Sequence, residues 1–244
     1  MRIVKQRRGQ FIIIAALLVA IMMISVSTIM YSAVTYYRHE RWEEYLSIID
    51  NVKMGSQRLV EISLANYTWN NCTNDTILRN NLQQWVNDTK KAYAGFGINL
   101  SCSLTEDGLN HDWNETVSFS EAEATFTLGM TSIGLSGYNF TAPVLLRVEI
   151  FDAAWNASGK ELIISSAVYK EDSIFVTNLK KNNFRVFVND HLTDFTVVRY
   201  YDEKYDSFIY DICCSREDNP PYLVSVVVID TRSIKVVANV TVSK

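Results

Sequence analysis

The chain has 244 residues, 48 % hydrophobic and 20 % charged, with nine Gly and three Pro, a composition that excludes extensive disorder. Its formal net charge of −4 is uneven. Arg2, Lys5, Arg7 and Arg8 make residues 1–10 basic, and beyond them 19 basic residues face 27 acidic ones. An acidic body lacks the clustered Lys and Arg that phosphate neutralisation needs, so no nucleic-acid partner is expected.

After the basic tail (1–10), residues 11–34 run FIIIAALLVAIMMISVSTIMYSAV, 24 positions without a charge. As a helix the run is ~36 Å long, against ~30 Å for a hydrocarbon core. It has no polar face, which a core helix of a soluble domain would have, and its Ser and Thr can bond back to the helix backbone. Tyr31, Tyr36 and Tyr37 stand at its far end, where amphipathic rings favour the headgroup layer. The sequence predicts one transmembrane helix with the lipid bilayer as partner. The cations Arg2, Lys5, Arg7 and Arg8 hold the N-terminus in the cytoplasm and send the C-terminal part outside. A cleaved secretory signal is the rival reading, with Ser32-Ala33 as a small-residue site, but the run exceeds the ~7–15 apolar residues usual for one.

The stretch Arg7-Arg8-Gly9-Gln10 directly before the apolar run resembles the class III signal peptide of archaeal type IV pilins and related surface proteins. The resemblance implies cleavage after Gly9, with Gln10 as the new N-terminus. Many pilins have Glu five residues after the cut, where this chain has Ile14, a departure that speaks against filament assembly. The whole chain also looks like archaeal membrane-anchored surface proteins with this RGQF start.

Residues 35–97 read as an extracellular helical segment. Over 38–65, Trp42, Leu46, Ile49, Val52, Leu59 and Ile62 recur at three-or-four spacing, a stripe expected to pack on the domain beyond or to serve as a stalk. A polar turn, NYTWNNCTND, precedes a second helix over 77–93, with Asp75 or Thr76 as N-cap and Gly95 and Gly97 closing it. From Ile98 the period changes to two. Strands are expected from Ile98 to Leu104 and over Val117–Leu128, Val144–Phe151, Glu161–Tyr169, Ser173–Val176, Phe184–Val188, Phe195–Tyr201, Ser207–Cys213, Tyr222–Ile229 and Ile234–Val242. Breaks are expected at Glu106–Asn114, Gly129–Gly137 and Asn156–Gly159. The fold class expected is α+β: transmembrane and stalk helix, short helical segment, then an antiparallel β-sandwich ectodomain. Residues 98–159 form a β-rich region. Residues 160–244, with NLKKNNFRVFVND near their start and YLVSVVVIDTRSIKVVANVTV at their end, resemble bacterial and archaeal immunoglobulin-like modules.

Asn-x-Ser/Thr acceptors begin at Asn66, Asn71, Asn74, Asn87, Asn99, Asn114, Asn139, Asn156 and Asn239, nine of the 19 Asn residues. Chance alone gives about three, and all nine lie beyond the apolar run, as a glycosylated exterior requires. Cys72, Cys102, Cys213 and Cys214 lie there too, an even count that reads as disulfides outside the cell. Cys72–Cys102 is the favoured pair, because the adjacent Cys213 and Cys214 would need a distorted backbone to join; four free buried thiols are the alternative.

No known catalytic motif is present. His39, His111 and His191 are scattered, and the acidic run Asp202, Glu203, Asp206 and Asp211 lacks the spacing of a calcium loop, so a solvated hairpin is expected there. No cofactor, metal or enzymatic activity is expected. The leading expectation is a membrane-anchored, glycosylated surface protein for adhesion, envelope structure or binding of a surface protein or glycan partner. The second is a pilin-like, homo-oligomeric subunit of a surface filament.

Overall fold

The computed structural model describes residues 3–216 and 219–243, except for the side chains of 3–11, 36–42 and 105–107. Arg2 therefore lies outside the described residues, as do the side chains of Lys5, Arg7, Arg8, Gln10 and His39. Two compact units result, residues 1–52 and residues 53–244.

The first unit is helical, as part of α1 (Ile3–Trp69). Its segment Ile12–Thr35 is long and apolar enough to cross a membrane, with mean hydropathy 2.8 and no residue buried. Three hydroxyls within it are satisfied by the helix itself: Ser25 Oγ donates to Ile21 O (2.9 Å), Thr28 Oγ1 to Ile24 O and Thr35 Oγ1 to Tyr31 O (2.8 Å).

In the second unit the last turns of α1 pair with α2 (Ile77–Ala92). The helix extends to Trp69, and the apolar stripe expected is met only in part: Val52 is buried and Ile49 and Leu59 half-buried, but Leu46 and Ile62 are exposed, and Ser56, Val60, Ser63, Leu64, Tyr67 and Thr68 make up the buried face. The serines explain the shift. Trp85 Nε1 of α2 donates to Ser56 Oγ (2.9 Å) and Asn81 Nδ2 to Ser63 Oγ (2.9 Å), so small hydroxyl residues occupy the helix–helix seam that an apolar count overlooks. Gly55 lets the helices close, since a Cβ there would lie 2.5 Å from the Trp85 ring. Thr76 stands at the N-cap of α2 without a side-chain cap bond, and a short 3₁₀ turn at Ala94–Phe96 ends on Gly97 in the left-handed region (φ 63°).

Among the described residues eleven strands follow: β1 (Ile98–Asp112), β2 (Val117–Met130), β3 (Leu135–Asn156), β4 (Glu161–Lys170), β5 (Ile174–Phe175), β6 (Phe184–Val188), β7 (His191–Thr193), β8 (Thr196–Asp202), β9 (Ser207–Ser215), β10 (Tyr222–Ile229) and β11 (Lys235–Val242). All pairings are antiparallel and make two sheets, ordered β1-β2-β3-β4-β9-β8, with β5 on β4, and β11-β10-β6-β7. Two expected breaks are shorter than the sequence suggests. β1 continues through the polar segment 106–112, with a register shift between Leu104 and Leu109, and β3 begins at Leu135 rather than Val144. Pro143 is tolerated inside β3 because β4 pairs only from Leu146 onward. Its carbonyl points away from β2 and accepts Gln57 Nε2 of α1 (2.9 Å), so the missing N–H falls on the same unpaired side.

Alternate residues of β2, from Ser118 to Met130, are buried, which makes one face of the first sheet the inner face. Over β1 that face is covered by helices, α2 packing along the strand and Tyr67 of α1 bonding His111, whereas β2 meets the start of β11, Ser120 Oγ donating to the Lys235 carbonyl (2.9 Å). Over β3, β4 and β9 it is covered by the second sheet. Phe184 of β6 meets Tyr210 of β9 (5.2 Å between ring centres) and Trp155 of β3 meets Tyr222 of β10 (5.7 Å). β3 pairs with β4 from Leu146 to Asn156, so strands on both sides of residue 160 share one sheet.

Candidate functional site

Eight of the nine acceptor asparagines are exposed; Asn239 is half-buried, its Nδ2 donating to Asn114 Oδ1 (3.1 Å). The four cysteines are free thiols, Cys214 buried and the others half-buried. Cys72, in the turn after α1, is pushed up to about 11 by burial, an effect that neighbouring Lys235 opposes; Cys214 is likewise pushed up to about 11. Such thiols hold little thiolate at neutral pH. Gly9 is part of the α1 backbone.

His111 and His191 are both exposed. His111 Nδ1 bonds the Tyr67 hydroxyl (3.1 Å) and its ring sits edge-on to Trp113. The acidic run does not converge: Asp202 accepts the Lys204 N–H (2.8 Å), Asp206 accepts the Tyr201 hydroxyl, and Asp211 accepts Ser165 Oγ (2.7 Å) on β4. Among the described residues no three His, Cys, Asp or Glu side chains gather as a metal site would require.

The residues that do converge surround the turn between β10 and β11. Asp230 Oδ1 accepts the N–H groups of Arg232 (2.9 Å) and Ile234 (3.0 Å), which fixes the turn. Arg232 then reaches out of the second sheet. Its Nε donates to Asp230 Oδ2 (2.6 Å), Nη1 to Glu171 Oε1, and Nη2 to the Leu145 carbonyl of β3 (2.9 Å). Glu171 Oε1 also accepts the Leu145 N–H (2.8 Å). The guanidinium thus bolts the second sheet to β3 and to the end of β4, and all three of its nitrogens are engaged. Burial works against its charge, but Asp230 and Glu171 more than offset this and raise its pKa.

Beside this cluster lies an open cleft of about 400 Å³, lined by Glu61 of α1, Lys170, Thr177, Asn178 and Thr231 around the Arg232 group. A second hollow of about 400 Å³ adjoins it along Met54, Gln57, Arg58 and Ile62. Burial raises the Glu61 carboxyl above the ordinary carboxylate range, and Arg232 opposes that rise. The cleft offers carboxylate, ammonium, hydroxyl and amide groups for hydrogen bonding to a polar ligand. Sequence reasoning missed it, because Asp230-Thr231-Arg232 reads as an ordinary polar turn and its partners lie 61 and 87 residues away.

A second convergence surrounds Lys235, whose Nζ lies over the Trp113 ring (4.9 Å to the centre) and the Trp69 ring (5.8 Å) and donates to Asn71 Oδ1 (3.1 Å). Burial lowers its pKa. Tyr67 alongside is pushed up to about 12, first by burial and then by Cys72 and Asp75. This arrangement ties α1 to β11 and to the end of β1. Comparison of the chain with protein families, with curated proteins and with solved structures finds no match.

Proposed function

We propose that the chain is a single-pass membrane protein of the cell surface, with its basic tail in the cytoplasm and its β-rich part outside, serving adhesion, envelope structure or the binding of a surface protein or glycan. One observation carries this reading: Ile12–Thr35 is apolar, 24 residues long and unburied. Fifteen large apolar side chains from Ile12 to Val34 are exposed along it. At ~1.5–3 kcal/mol for each one removed from water, a bilayer favours this segment by a few tens of kcal/mol. The exposed acceptor asparagines support an exterior, glycan-bearing location. We read the strands from β4 onward as an immunoglobulin-like module, supported by the two antiparallel sheets that meet through Phe184 and Tyr210. The test pairs alkaline extraction of membranes with protease treatment of whole cells. The protein is expected in the membrane fraction and its C-terminal part is expected to be shaved; resistance in intact cells refutes the topology.

A second reading, a pilin-like subunit with its apolar helix among copies of itself, is favoured by the exposure of the whole segment Ile12–Thr35, which copies of the same helix could cover. Mass analysis of the native N-terminus separates the two. A chain starting at Gln10 supports the filament route and an intact Met1 opposes it.

A further inference from the structure

Four strands end the two sheet orders, β1, β8, β11 and β7, and three of them are guarded. β1 carries the register shift between Leu104 and Leu109, β7 is only three residues long, and β11 is bonded by the β1–β2 connection, through Asn114 N–H to Val237 O (3.4 Å) and Asn239 N–H to Glu115 O (3.1 Å). Bulges, short strands and covering segments are the usual means of keeping an edge from pairing with other chains. β8 has none of these. It pairs with β9 in unbroken register from Thr196–Cys213 to Asp202–Ser207, and contains neither Pro nor Gly. Among the described residues no group outside β9 bonds its backbone. Both of its faces are open: Val198 is 57 % exposed, Tyr201 49 % and Tyr200 38 %. Its residues, Thr-Val-Val-Arg-Tyr-Tyr-Asp, are the β-branched and aromatic types that favour strands.

We infer that β8 is a strand-pairing interface whose occupant is β8 of a second copy of this chain, joined antiparallel about a two-fold axis. The strand is complementary to itself. The axis must bring outward-facing residues of one copy opposite outward-facing residues of the other, so it passes through a residue and not between two. An axis at Arg199 sets two guanidinium groups against each other, and an axis at Tyr200 sets Val198 against Asp202. An axis at Val198 sets Val198 against Val198, Thr196 against Tyr200, and Val197 against the aliphatic stem of Arg199. Over the five residues it pairs, Thr196 to Tyr200, that register opposes no like charges and buries the most exposed apolar side chain of the strand against itself. Continuing one sheet across the axis gives the free backbone groups of Thr196–Tyr200 in each copy a partner. The inference does not depend on whether α1 lies in a bilayer or among filament neighbours.

The test uses the full chain in detergent micelles, compared as the natural sequence, Val198→Cys, Ile174→Cys and Val198→Lys. Opposed Cβ atoms in an antiparallel pair lie ~4.5–5.5 Å apart, close to what a disulfide spans. Val198→Cys is therefore expected to give a covalent dimer on mild oxidation, beyond any background from the natural thiols. Ile174→Cys, exposed on β5, which pairs with β4 and is not part of the β8 edge, is expected to give none. Val198→Lys places two ammonium groups face to face and is expected to weaken the dimer at least about tenfold in sedimentation, without changing the thermal transition of the β-rich unit. A chain that sediments as a monomer, a dimer indifferent to Val198→Lys, equal cross-linking at positions 174 and 198, or cross-linking of the Val198→Cys variant to a different protein each overturns the proposal.

Discussion

Replacing Arg232 with Met tests whether the guanidinium holds the two sheets together. The substitution keeps much of the aliphatic volume but removes three donors, those to Asp230, Glu171 and the Leu145 carbonyl. The Asp230 side chain is only 3 % exposed, so its charge would remain buried without a cation. Breaking a buried pair from one side costs ~3–5 kcal/mol. Two features place this case at the lower end: Glu171 and Arg232 keep 20 % and 17 % side-chain exposure, and both carboxylates retain backbone donors. A loss of about 3 kcal/mol corresponds to a fall in Tm of ~6–12 °C for a unit of this size. Circular dichroism melting of the full chain in detergent reads it. Adding Asp230→Asn to Arg232→Met is expected to cost less than the sum of the single changes, since the second removes the charge stranded by the first. A Tm within ~2 °C of the natural chain for Arg232→Met would refute the clasp.

Gly55→Ala is expected to destabilise by ~1–3 kcal/mol although Ala is the better helix former, because its methyl would lie 2.5 Å from Trp85; a gain in urea midpoint would show that the seam has slack. Because the folded state raises the Glu61 carboxyl, that group favours folding below its ordinary value of 4.5 and loses this contribution as pH rises through the raised value. Glu61→Gln is therefore expected to match the natural chain at pH 4 and to equal or exceed it at pH 7, measured by urea unfolding; lower stability of the variant at pH 7 alone contradicts the sign. Peptide mass mapping of protein from its natural cells is expected to find glycan on several of the eight exposed acceptors and none on Asn239, whose amide is held by Asn114. A glycan at Asn239 would show that this contact forms only after modification, or not at all.

The strands were legible because a sheet with one buried face writes its period directly into the chain: β2, with Ala122, Ala124, Phe126 and Leu128 inward, shows it plainly. Helix α2 was legible for the same reason at its own period, through Leu78 and Leu82. The apolar segment from Ile12 stood out because nothing interrupts it. Less legible was whatever depended on a distant partner. The seam of α1 is built on Ser56 and Ser63, which gain their place only from Trp85 and Asn81. The early part of β3 hid behind Gly137 and Pro143, residues that signal breaks unless the neighbouring strand is known to start later. Arg232 carried no local mark at all, since its meaning lies in Glu171 and Leu145.

β3 meets α1 where Gln57 bonds the Pro143 carbonyl, and the second sheet where Trp155 meets Tyr222. A strand common to both layers leaves neither with an independent melting point: Ala142, Val144, Leu146 and Val148 follow one another along its buried face, so a disturbance at one end is carried to the other by the same backbone. Heat should consequently find one cooperative block from Lys53 onward, and a cut made inside β3 should disable both of its sides at once.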